Sequence, residues 1–165
     1  MNRLDVNYIN IFSDYTVWEE CDNLYFVTDY DIKYLVCFDK EETPRFDAYW
    51  FSLANMNQKD SPRDAKVAQT VLCIIEEFFR TNPDIMLYMC STVGNQQAQR
   101  ARLFSFWFNK AGQQERYYFK TAEIKGEEPG SKEYIAIIIP RSHPQAEDVL
   151  AYFDEETALF NMMKP

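Results

Sequence analysis

His143 is the only imidazole in the chain, so any Ser-His-Asp or Cys-His nucleophile arrangement would depend on it. It stands immediately before Pro144 at a predicted helix start, a setting that suits a capping-region histidine better than a general base. Cys90 is the stronger candidate for chemistry. It ends an apolar run, and Cys90, Ser91, Thr92 and Asn95 belong to a strand-to-helix loop whose amides could lower a thiol pKa or hold an anion. Cysteine phosphatases place an arginine six residues after the nucleophile; here Gln96 holds that position and the next arginine is Arg100. The loop also has a single glycine, Gly94, so few amides can converge on a phosphate. A plain βα turn is the better account, and a small ligand site or enzyme site at this loop is the alternative.

Other chemistries lack their parts. With 4 glycines in the whole chain there is no phosphate loop and no dinucleotide fingerprint, both of which need several for close backbone approach. Asp29 and Asp31 share a hairpin tip, but a calcium loop needs more oxygen ligands over a longer span, so turn chemistry explains them. No carboxylate pair among the 26 acids is singled out by its setting. The four cysteines, Cys21, Cys37, Cys73 and Cys90, contain no C-x-x-C pair, which argues against structural zinc and a disulfide framework. No catalytic residue, cofactor or metal ligand is assigned.

The elements that would position a site are more legible. Residues 15–18, 23–28, 32–38 and 48–53 alternate apolar and polar side chains at period two and read as four strands of an antiparallel meander. The period then changes. Ser61 is the predicted N-cap of a helix with Pro62 at its first position and Asp64 facing the positive end of its dipole. Val67, Val71, Ile74, Ile75 and Phe78 continue it to about Thr81, before Pro83. Ile85 to Cys90 is an unbroken apolar run between a proline and a glycine turn, which predicts a central strand buried on both faces. A helix over 96–111, strands over 116–122 and 134–140, and a last helix after Pro144 complete the order. These elements predict one α+β domain over 1–165, a mostly antiparallel sheet with helices packed mainly on one face.

The helix over 96–111 is the most informative. Ala98, Ala101, Phe104, Ser105 and Phe108 form one stripe, and Leu103, Phe106 and Trp107 form a second on the other side. A helix apolar around most of its girth is either sandwiched inside the fold or covers a partner, and both alternatives stand. On the second alternative Arg100, Arg102, Leu103, Phe106, Trp107 and Lys110 make an interaction surface for a protein partner or a second copy, as in a homodimer.

Composition bounds the partners. Net charge is −9, which repels phosphate backbones and argues against nucleic acid. Residues 85–122 nevertheless carry five cations against Glu115 alone, a net +4. Core-forming segments are poor in charge, which explains most of that asymmetry. No apolar run approaches the ~18 residues of a membrane span, and the first residues are too polar for a signal peptide, so the sequence predicts a cytoplasmic protein.

Phe26-Val27-Thr28-Asp29, Phe78-Phe79-Arg80-Thr81-Asn82-Pro83, Leu87-Tyr88 and the run from Arg100 to Phe108 together resemble a family of uncharacterised bacterial domains of about this length. That resemblance, from the meander to Lys164-Pro165, implies a bacterial cytoplasmic protein and no activity, cofactor or catalytic residue.

Overall fold

The computed structural model describes residues 1–42, 45–60, 62–91, 96–110 and 112–164, and for 90–91 and 96–101 the backbone alone. The chain forms helix α1 (Val6–Phe12), strands β1 (Trp18–Glu20), β2 (Asn23–Val27), β3 (Lys33–Glu41) and β4 (Ala48–Asn55), then helix α2 (Ala65–Thr81). Strand β5 (Ile85–Ser91), helix α3 (Gln96–Phe108), the short helix α4 (Gln113–Arg116), strands β6 (Tyr117–Lys125) and β7 (Lys132–Pro140), and helix α5 (Ala146–Met163) follow. The fold is α+β, with a mostly antiparallel seven-stranded sheet in the order β1-β2-β3-β4-β5-β7-β6. Residues 1–39 and 51–83 make one compact unit; residues 40–50 and 84–165 make another.

In the first unit the meander forms, but its first strand is Trp18–Glu20, which begins where the predicted 15–18 strand ends, while β2 and β3 follow the alternation. Trp18 pairs with Tyr25 and Glu20 with Asn23, so Cys21 and Asp22 form a two-residue hairpin loop. Both have positive φ, 51° and 64°, the geometry that matches strand twist in such a loop. The Asp29–Asp31 tip is a turn held by Thr28, whose hydroxyl accepts from the amides of Tyr30 and Ile32. Helix α2 starts at Ala65, and its N-cap is Asp64, whose carboxylate accepts from the Lys66 amide at 3.0 Å. Asp64 therefore takes the N-cap role predicted for Ser61, and Ser61 lies outside the described residues. Helix α1 was not predicted. Its N-cap, Asp5, accepts from the amides of Asn7 and Tyr8, but only Ile9 of its seven residues is buried, so it has no apolar stripe to read.

In the second unit β5 pairs antiparallel with β7, and β7 with β6. Ile85, Met86, Leu87 and Tyr88 are all buried, as expected of an internal strand, and Met89 at 46% exposure marks where cover ends. On one face Ile85 and Leu87 join Ile137, Ile139 and the Ala146, Val149, Phe153 stripe of α5 in a continuous apolar cluster. On the other face Tyr88 meets Phe104 of α3, ring centroids 4.3 Å apart. Helices thus cover both faces of the sheet here.

The strands β6 and β7 run to Lys125 and begin at Lys132, longer than the predicted 116–122 and 134–140, and the buried Ile124 carries the alternation of β6 past Ala122. Asn161 of α5 closes the end of β6: its carboxamide accepts from the Lys125 amide at 2.9 Å and donates to the Glu123 carbonyl at 2.8 Å. Pro144 precedes α5 rather than opening it, since the helix starts at Ala146.

Candidate functional site

Helix α3 turns an aromatic triad inward. Phe104, Trp107 and Phe108, spaced i, i+3 and i+4, lie against Tyr88, Tyr117 and Phe119 at centroid distances of 4.3, 5.1 and 5.0 Å. Trp107 is 0% exposed, so of the second stripe's two alternatives it takes burial inside the fold. The reason is that the inward direction falls between the two apolar stripes, taking Phe104 and Phe108 from one and Trp107 from the other. Tyrosines and a phenylalanine on β5 and β6 supply the surface that selects it.

The opposite side of α3 is a ledge. Phe106 is 69% exposed, the most exposed aromatic side chain among the described residues. Arg102, one turn earlier on the same side, is exposed, as is Lys110 beyond the helix end, while Leu103 at the flank is half-buried. The interaction surface predicted from sequence thus retains Arg102, Leu103, Phe106 and Lys110 and loses Trp107 to the core. The side chain of Arg100 lies outside the described residues, as do those of Cys90 and Ser91 and the whole of Thr92 and Asn95 in the candidate ligand loop.

A second surface was not foreseen. Arg45, Phe46, Asp148, Val149, Tyr152 and Glu155 line an open cleft of about 420 Å³ beside α5. Phe46 meets the Tyr152 ring edge-on at 5.6 Å, and the Arg45 guanidinium stands 4.9 Å from the centre of the same ring. The signal for it in the sequence was a side stripe on the last helix, Tyr152, Leu159 and Met163, displaced from the buried Ala146, Val149, Phe153 stripe. Leu159 and Met163 are exposed.

The remaining clusters of titratable groups are structural. The Tyr15 hydroxyl donates to the Asp64 carboxylate and accepts from the Asp29 amide. Burial first, and the Asp64 hydrogen bond second, push its pKa up to about 12, so at neutral pH it is a fixed donor and not a base. Lys66 is held above the ordinary lysine value by its hydrogen bond to Asp29. The His143 ring accepts at Nδ1 from the Gln145 amide at 3.1 Å, which is the local capping-region role read from the sequence. Cys21, Cys37 and Cys73 are free thiols; Cys21 is exposed and the other two are partly covered rather than fully buried. Among the described residues no group of three His, Cys, Asp or Glu side chains is placed to hold a metal ion, and no helix is long and apolar enough to cross a membrane.

Comparison with known proteins bears on the same segment. No curated protein and no solved structure matches the chain. A family profile matches residues 63–155, from the cap of α2 to the cleft side of α5, and so contains α3 and most of the cleft while leaving β1 to β4 outside. The chain belongs to DUF6169, a family of unknown function.

Proposed function

We propose that the chain is a non-catalytic binding protein of the bacterial cytoplasm that acts through the outward side of α3, on a protein partner or on a second copy of itself. The observation that carries the reading is Phe106. A phenylalanine left 69% exposed beside an exposed arginine, on a helix that already buries two aromatics, is the composition of an interface anchor and not of a solvated face. Aromatic and arginine side chains dominate interface energetics, whereas catalysis needs a nucleophile or base held in a cleft with its partners. His143, the one imidazole, is engaged with its own helix start. The free thiols support the reducing compartment.

The test is photo-crosslinking in the living cell. A photoreactive phenylalanine analogue placed at 106 forms a discrete covalent adduct on irradiation, and the same analogue at exposed Lys59 does not. No adduct at 106, or equal adducts at both positions, overturns the reading.

A further inference from the structure

We infer that the ledge of α3 seats in the α5 cleft of a second copy of this chain, making a head-to-tail contact. The inference rests on the proposed use of α3 and names its partner.

The two surfaces are complementary in charge and shape. The ledge presents Arg102 and Phe106 side by side, with Lys110 exposed beyond the helix end. Helix α5 carries five carboxylates and no cation between Ala146 and Met163, and two of those acids, Asp148 and Glu155, line the cleft. The cleft floor is aromatic, formed by Phe46 and Tyr152, and a guanidinium already rests on it: Arg45 over Tyr152 at 4.9 Å. A volume of about 420 Å³ accepts one phenylalanine ring with a neighbouring cation, near the lower end of the usual ligand-pocket range of about 300–1,000 Å³. Phe106 would pack on Phe46 and Tyr152 while Arg102 reaches Asp148 or Glu155. The overall charge of −9 repels copies at a distance. At physiological salt the screening length is about 8 Å, so the local pairs decide the contact.

Geometry sets the symmetry. Helix α3 covers the sheet face of Tyr88, and α5 covers the face of Ile85 and Leu87. The ledge and the cleft of one copy therefore belong to helices on opposite faces of the sheet. A two-fold dimer would satisfy both surfaces only if ledge and cleft lay within one patch, and they lie on opposite faces. Each ledge-in-cleft contact leaves one ledge and one cleft free, and association continues into rings or open chains.

The experiment uses two variants of the full chain, Phe106→Glu and Asp148→Ser/Glu155→Lys, in sedimentation equilibrium over a concentration series. Both change exposed or cleft-lining side chains, and unchanged melting temperatures verify folding; Glu155→Lys alone replaces the double variant if that fails to fold. The wild type grows past the dimer with concentration, and raising salt to about 0.5 M reverses this. Each variant alone needs at least about tenfold more protein to associate. Their equimolar mixture stops at a dimer, because only one intact ledge and one intact cleft remain. A wild type that is monomeric throughout, or a mixture that stays monomeric, overturns the head-to-tail contact. If Phe106→Glu abolishes association and the cleft variant does not, the cleft is wrong while α3 as the binding surface stands. If association ignores Phe106→Glu, both fall.

Discussion

Glu77 lies near the C-terminal end of α2 with its side chain 0% exposed, and it holds the first residues of the chain in place. Its carboxylate accepts from the Asp5 amide at 3.0 Å and from two guanidinium nitrogens of Arg80 at 2.7 and 2.9 Å. Asn2 and Asn82 add a reciprocal pair: the Asn2 amide donates to the Asn82 side chain at 2.7 Å, and the Asn82 carboxamide donates back to the Asn2 carbonyl at 3.4 Å. Replacing Glu77 by alanine leaves the Asp5 amide without its acceptor, a loss of about 1–3 kcal/mol for a covered donor. Arg80 is half in water and rehydrates, so it adds nothing to that figure. The space vacated by the side chain costs more, and release from burying a charge returns part of it. The net is about 2 kcal/mol, and for a chain of this size about 2–4 °C per kcal/mol gives a fall of about 4–8 °C. Glu77→Gln keeps an oxygen for the Asp5 amide and loses about half as much. Urea unfolding measures the totals, and amide exchange locates them: exchange rises over residues 2–13 well above the rest of the chain. An alanine variant within about 0.5 kcal/mol of wild type, or one that loosens uniformly, refutes the tether.

Tyr15→Phe tests the phenol whose pKa is pushed up to about 12. A proton bound more tightly in the folded state stabilises fully below the unfolded value of 10.0 and is lost as pH rises from there toward about 12. The stability difference between wild type and Tyr15→Phe therefore shrinks through that window in urea titrations, and a pH-independent difference refutes the assignment. Asn161→Ala removes both bonds to the edge of β6, costs about 1 kcal/mol and raises exchange at the Lys125 amide; unchanged protection there shows that the carboxamide does not close the edge.

Where packing is local, the chain announces its own structure. Helix α2 has its Val71, Ile74, Ile75 and Phe78 stripe, and β5 its unbroken apolar run, and both stand where that pattern puts them. Where an element is held from a distance, nothing local reports it. Helix α1 is fastened through Glu77 at Asp5, through Gln69 at the Phe12 carbonyl, and through Thr70 at the Tyr15 amide just beyond its end. These partners lie more than fifty residues along the chain. Its stability is tertiary, as that of a seven-residue helix must be.

The same distinction governs the candidate site. Periodicity found the two apolar stripes of α3 but had no means of choosing the inward direction, because Phe106 and Trp107 are neighbours of similar size and hydrophobicity. The choice belongs to Tyr117, whose ring receives Trp107, and Tyr117 enters the site only because β6 returns along β7. Once Trp107 is taken into the core, Phe106 is left outward by helix geometry alone, with Arg102 beside it. The cleft was hidden for a related reason: Phe46 sits in a connector, and its partner Tyr152 lies more than a hundred residues later. An exposed aromatic ledge and an acidic aromatic cleft are each unremarkable on a surface. Together, on one unit and on opposite faces of its sheet, they are the two surfaces from which the head-to-tail contact is inferred.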